Sequence, residues 1–157
     1  MSIDHLADWA DVLSAIGVIA SLIFVGSEIR RNTNQSKLQN WASLIDRFIT
    51  IYSETTNLEF AEVIAKGRRD YNSLTEGEKI AFGNYLYQIV VGVEAFVNFS
   101  QHEVHGKKEM EFQFEKVIQY HVGSPGGLAW YKEYQENIPL PPALSVRIER
   151  ALEKLSS

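Results

Sequence analysis

The run Val12 to Gly26, VLSAIGVIASLIFVG, carries no charged side chain, and its only polar ones are Ser14 and Ser21. Nothing else in the chain is as apolar, so every fold must either hide this run or give it an apolar solvent. Between Asp11 and Glu28 lie 16 uncharged residues, which as a helix span about 24 Å against roughly 30 Å of bilayer hydrocarbon. The run is short for a membrane span, yet nine Val, Leu, Ile and Phe residues at about −0.5 kcal/mol each give about −4 kcal/mol for insertion before Gly and Ser penalties. Trp9 suits a headgroup belt, where Asp8 and Asp11 cost little. The competing explanation is a helix buried in a soluble core, which a run of this length also permits.

The flanks orient the helix. MSIDHLADWAD before the run is acidic where a cleaved signal peptide is basic, so the anchor is expected to be retained. Arg30, Arg31 and Lys37 follow the run, whereas Asp4, Asp8 and Asp11 precede it. The positive-inside rule therefore predicts a single-pass protein of the inner (cytoplasmic) membrane with its C-terminal part in the cytoplasm. Ala10, Ser14, Gly17 and Ser21 recur at helical spacing and form a small-residue stripe. Such a stripe lets two membrane helices approach closely, which makes it the candidate membrane-helix interface of a homo-oligomer. The plainer explanation is that Gly and Ser are common in membrane helices.

The remainder predicts helices throughout, giving an anchor over residues 1–27 and a helical domain over 28–157. From Glu28 to Lys66 there is no Gly or Pro, so the first helix is expected to continue past the anchor, with Asn32 to Ser36 as the place for a hinge. Leu38, Trp41, Ile45, Phe48 and Tyr52 form its apolar face. Thr56-Asn57-Leu58-Glu59 and Thr75-Glu76-Gly77-Glu78 have the capping-box pattern and open two further helices, the second being the longest of the body. That helix carries Phe82, Leu86, Ile89, Val93 and Phe96 as its stripe and is apolar on nearly all sides, which suits the centre of a bundle. Asn84, Gln88, Glu94 and Asn98 argue against reading it as a second membrane span. Gly106 closes it, and Lys107 to His121 forms the next. Ser124-Pro125 serves as N-cap and first helical residue of a short helix. Pro139, Pro141 and Pro142 precede a final amphipathic one. No strand pattern appears, so the fold is expected to be all-α: an antiparallel bundle of about five helices following the long N-terminal helix.

In this order the elements resemble a group of uncharacterised bacterial proteins that join one N-terminal membrane helix to a helical bundle. The likeness lies in Val18-Ile19-Ala20-Ser21-Leu22-Ile23-Phe24-Val25 followed by Glu28-Ile29-Arg30-Arg31-Asn32-Thr33. It continues in Asn72-Ser73-Leu74-Thr75, in Glu94 with Gln101, and in Ser124-Pro125-Gly126 before Trp130. The resemblance implies an anchored bundle and implies no activity. Gly26-Ser27-Glu28 departs from it, since a more apolar residue or a glutamine is expected there.

Chemistry is sparse. The formal net charge of −5 gives no field to attract phosphate polyanions, so nucleic acid is not an expected partner. With no cysteine, thiolate chemistry is excluded. No phosphate loop, dinucleotide fingerprint, metalloprotease or serine-hydrolase signature occurs, which leans against an enzyme and against any cofactor. His102 and His105 share a helix face and are weak candidates for a metal, with His121 a distant third. Two ligands make no site, and histidine before a helix end is explained by the dipole. Glu94, among valines on the central helix, is the candidate buried polar centre, with Arg47, Lys66, Arg68 or a tyrosine as partner and Gln101 near it. The structural explanation is an ion pair. Trp41, Trp130, Tyr131 and Tyr134 could line a ligand pocket or simply fill the core. Gly123 to Gly127 could cradle an anion, but no lysine or arginine follows before Lys132. The leading expectation is a non-enzymatic, membrane-anchored interaction or oligomerisation module that meets membrane lipid through residues 12–26. The alternatives are a small membrane-tethered enzyme or ligand sensor built around Glu94, and a fully soluble bundle with Val12 to Gly26 packed inside.

Overall fold

The computed structural model describes the backbone of residues 3–101 and 107–155 and, within them, the side chains of residues 13, 14, 16–99 and 108–155. Those residues form six α-helices and one 3-10 turn, with no strand among them. The helices are α1 (Ile3–Glu54), α2 (Leu58–Arg69), α3 (Glu76–Gln101), α4 (Lys107–His121), α5 (Pro125–Asn137) and α6 (Pro142–Glu153). The chain divides into two compact units, residues 1–42 and 43–157, and α1 contributes to both.

In the first unit the helix runs unbroken through Asn32 to Ser36, the place the sequence offered for a hinge. The Thr33 hydroxyl donates to the Ile29 carbonyl at 2.8 Å and that of Ser27 to the Phe24 carbonyl at 2.7 Å, bonds that leave the backbone helical. The large apolar side chains from Leu13 to Ile29 are between 48% and 69% exposed. Leu22, Ile23, Phe24 and Val25 are consecutive, so at 100° per residue they put apolar surface on every side of the helix. The side chains of Asp4, Asp8, Trp9, Ala10 and Asp11 lie outside the described set.

In the second unit the end of α1 is closed by hydroxyls. Thr55 and Thr56 donate to the carbonyls of Tyr52 and Ser53, each at 2.7 Å. Thr56 is thereby turned backward, and the expected capping role passes to Asn57, whose side-chain oxygen accepts from the Glu59 and Phe60 amides. The second capping box forms as expected: the Thr75 hydroxyl accepts from the Glu78 amide at 3.3 Å, and the Glu78 carboxylate accepts from the Thr75 amide at 2.7 Å. Ser124 caps α5 through the Gly127 amide at 3.1 Å, with Pro125 as first helical residue. The loop before α3 contains the 3-10 turn Tyr71–Ser73, held by the Asp70 carboxylate accepting from the Asn72 amide.

Helix α3 packs against α2 and α4, while α4 packs against α6 and α2 against α5. Phe82, Leu86, Ile89 and Val90 of α3 are fully buried, together with Phe114 and Ile118 of α4 and Ile148 and Ala151 of α6. Among the described side chains of α1 the buried one is Ile51, with Phe48 half-buried beside it, rather than the whole stripe expected from the sequence. Tyr52 is 44% exposed and Ile45 38%. Two glycines permit close approaches: a Cβ on Gly67 would stand 2.7 Å from the Phe82 ring, and one on Gly126 would stand 1.6 Å from the Gly67 carbonyl oxygen. Only glycine fits where α2 meets α5.

Among the described residues one helix, Glu76–Phe99, is long and apolar enough to cross a membrane by length and composition. Its position explains that composition, because α3 supplies core residues to neighbours on several sides and so carries apolar residues around most of its circumference.

Candidate functional site

The polar feature that stands out is a cleft at the C-terminal ends of α2 and α4. His121 is the last residue of α4 and is only 4% exposed, the one buried polar or charged side chain of the described core. Its two ring nitrogens meet two tyrosines. Tyr85 Oη from α3 lies 3.2 Å from Nδ1, and Tyr52 Oη from α1 lies 3.4 Å from Nε2. The Tyr120 ring stands edge-on to the imidazole, with centroids 4.8 Å apart. Arg68, in the last turn of α2, holds its guanidinium carbon 4.1 Å above the Tyr120 ring. The last turn of α2 holds Lys66, Arg68 and Arg69, which suits the negative end of the helix dipole. Tyr52, Tyr85, Tyr120, His121, Arg68 and Arg69 line an open cavity of about 830 Å³ whose wall has no carboxylate.

Burial sets the charge states. Desolvation, reinforced by the charge of Arg68, lowers the His121 imidazole to about 4. Burial likewise pushes the Tyr85 phenol up to about 12 and raises that of Tyr52. At neutral pH the centre is therefore an uncharged imidazole between two protonated phenols, beside a permanent cation. A histidine titrating near 4 is poorly matched to general acid–base work at pH 7, so the arrangement suits binding better than proton transfer.

Glu94 lies elsewhere, and its partner is none of the cations considered from sequence. Arg147 of α6 donates to its carboxylate at 2.5 Å, and the same guanidinium lies 3.5 Å from Glu111. Lys66 instead pairs with Glu78 at 2.8 Å, Arg68 stacks on Tyr120, and Arg47 is exposed. The pair joins α3 to α6 across 53 residues of sequence, a separation that helical periodicity does not register. With side chains 19% and 24% exposed, Glu94 and Arg147 form a partly buried structural ion pair. The Gln101 side chain, His102, His105 and Gly106 lie outside the described residues. Among the described residues no three His, Asp or Glu side chains gather as a metal site.

The aromatic residues divide. Trp130 and Tyr131 are buried in the core, and Tyr134 stacks between Trp130 and Tyr87 at centroid distances of 5.2 and 5.7 Å. Trp41 belongs to the first unit. The glycine-rich start of α5 has its Gly127 amide taken by Ser124 and its Gly126 pressed on Gly67, so it holds packing contacts rather than an open anion cradle. Sequence reasoning missed the cleft because its residues come from five helices; the one local signal was a histidine on the apolar face of α4. Ser14, Gly17 and Ser21 are exposed, and a Cβ on Gly17 would meet nothing within 4 Å. No protein-family model, no curated protein and no solved structure matches the chain.

Proposed function

We propose that the chain is a single-pass, membrane-anchored helical module, with residues 12–26 in the lipid of an inner (cytoplasmic) membrane and an antiparallel helical bundle on the cytoplasmic side. One observation carries this reading: a helix segment apolar on every side, with Leu13, Ile16, Val18, Ile19, Leu22, Ile23, Phe24 and Val25 all close to half exposed or more. A segment apolar all round is stable only in an apolar medium, whereas the face of an amphipathic helix would be covered by its own core. The alternative in which this run packs inside a soluble bundle would require those side chains to be covered. Arg30, Arg31 and Lys37 support the orientation by the positive-inside rule.

The module is non-enzymatic in this reading and serves interaction or oligomerisation. The small stripe of Ser14, Gly17 and Ser21 supports self-association in the bilayer, and an exposed apolar groove of Ile45, Phe48, Ile49 and Phe96 supports contact with a protein. Fractionation tests the tether: the full chain should sediment with membranes and resist carbonate while a chain starting near Asn32 is released. A full chain that is monodisperse in buffer without detergent would overturn it. Cleavage of the C-terminal domain by protease added outside intact spheroplasts would overturn the orientation alone. A second reading, a tethered ligand sensor, is favoured by the cleft, and in that reading the polar centre is His121 rather than Glu94.

A further inference from the structure

We infer that the cleft around His121 binds a small organic anion, a carboxylate carried on a flat apolar body, through Arg68 and a tyrosine hydroxyl. This deepens the sensor reading and rests on it, but it is independent of the tether, since the cleft lies wholly within residues 43–157.

The volume of about 830 Å³ falls within the roughly 300–1,000 Å³ of small-molecule sites. Charge selects the sign of the ligand: in a chain of net charge −5, the cleft wall carries two arginines and no carboxylate. Among the described residues Arg68 makes no ion pair, and its guanidinium lies on the face of Tyr120. A half-buried guanidinium left in that state has its N–H donors available for a bidentate carboxylate.

The second donor follows from proton counting. A neutral imidazole offers one N–H and one bare nitrogen, and each faces a tyrosine oxygen, at 3.2 and 3.4 Å. In either tautomer one phenol donates to the bare nitrogen while the other accepts from the N–H. The accepting phenol keeps its own proton for a third partner. The neutrality this requires is supplied by burial, which lowers the imidazole well below neutral pH. The body of the ligand meets Ala61, Ile64 and the tyrosine rings, surfaces that favour a flat apolar group over a hydrated one. Phosphate fits less well, because the Gly127 amide at the nearby start of α5 is already bonded to Ser124.

The test uses the full chain in phosphatidylcholine nanodiscs at pH 7, titrated separately with benzoate, benzyl alcohol, benzylamine and acetate. Binding is followed by the His121 imidazole NMR signal, assigned by its loss in His121→Phe. Benzoate should shift that signal saturably and bind about tenfold tighter than benzyl alcohol or acetate, a ratio expected for a charge-assisted bidentate contact. Arg68→Met should remove that advantage with the helix content unchanged, and Arg68→Lys should retain part of it. Equal affinity for benzoate and benzyl alcohol would overturn the anion assignment while leaving a binding cleft. If no probe moves the His121 signal, the sensor reading falls as well. Should Arg68→Met fail to fold, the comparison of probes on the unaltered chain still decides the question.

Discussion

Acidification should destabilise the bundle through one side chain. His121 is ordinarily protonated below 6.5, but its buried position lowers it to about 4. A depressed folded-state value means that the unfolded chain binds the proton more readily. The resulting stability is fully present above pH 6.5 and is lost as pH falls through 4. The gap between 6.5 and about 4 corresponds to about 3 kcal/mol in all, of which about 2 kcal/mol is already lost by pH 5. The Glu78 carboxylate, held down to about 2 chiefly by the Lys66 ammonium and then by the Thr75 amide, contributes stability that fades only at lower pH. The window from pH 6.5 to 5 is therefore dominated by His121 among the shifted groups. Thermal or urea unfolding of the full chain in zwitterionic micelles, followed by near-UV dichroism of buried Trp130, measures the slope. His121→Phe should abolish the slope in that window, and the imidazole carbon resonance should titrate near 4. An imidazole titrating near 6.5, or a variant that keeps the slope, would refute the argument that burial between Tyr52 and Tyr85 holds the ring neutral.

Two further outcomes test the packing. Gly67→Ala would place a methyl 2.7 Å from the ring of Phe82, a fully buried side chain with no room to retreat, and should cost about 1–3 kcal/mol by chemical denaturation. An unchanged midpoint would show that α2 can move off α3. A double-mutant cycle of Glu94→Gln and Arg147→Met should give a coupling of about 1 kcal/mol, because both groups are partly buried and Arg147→Met leaves the Glu94 carboxylate without its cation, whereas Glu94→Gln leaves Arg147 still beside Glu111. Additive effects would make the contact incidental to stability.

Legibility followed the range of the interaction. Ser124-Pro125, the Thr75/Glu78 capping box and the proline run before α6 were readable because a cap involves residues two or three apart. The stripe of α3 was readable because Phe82, Leu86, Ile89 and Val93 recur at helical spacing, and all four are buried. The cap of α2 was misplaced by one residue, since Thr56 and Asn57 are both good caps and only the turn of the backbone after α1 decides which side chain faces forward. On α1 the apolar positions were identified, but Ile51 rather than the full stripe is buried, because periodicity marks faces without saying where a neighbour lies against them.

By itself the sequence determined that the chain is helical, where most of its helices begin, and that one early segment is apolar on every side. Periodicity, capping and hydropathy are all local in the chain, and these properties depend on nothing else. The partner of Glu94 and the meeting of Tyr52, Arg68, Tyr85 and His121 were decided only by tertiary structure. Each joins side chains from different helices, and their distances are set by how the helices pack, down to the absence of a side chain on Gly67 and Gly126.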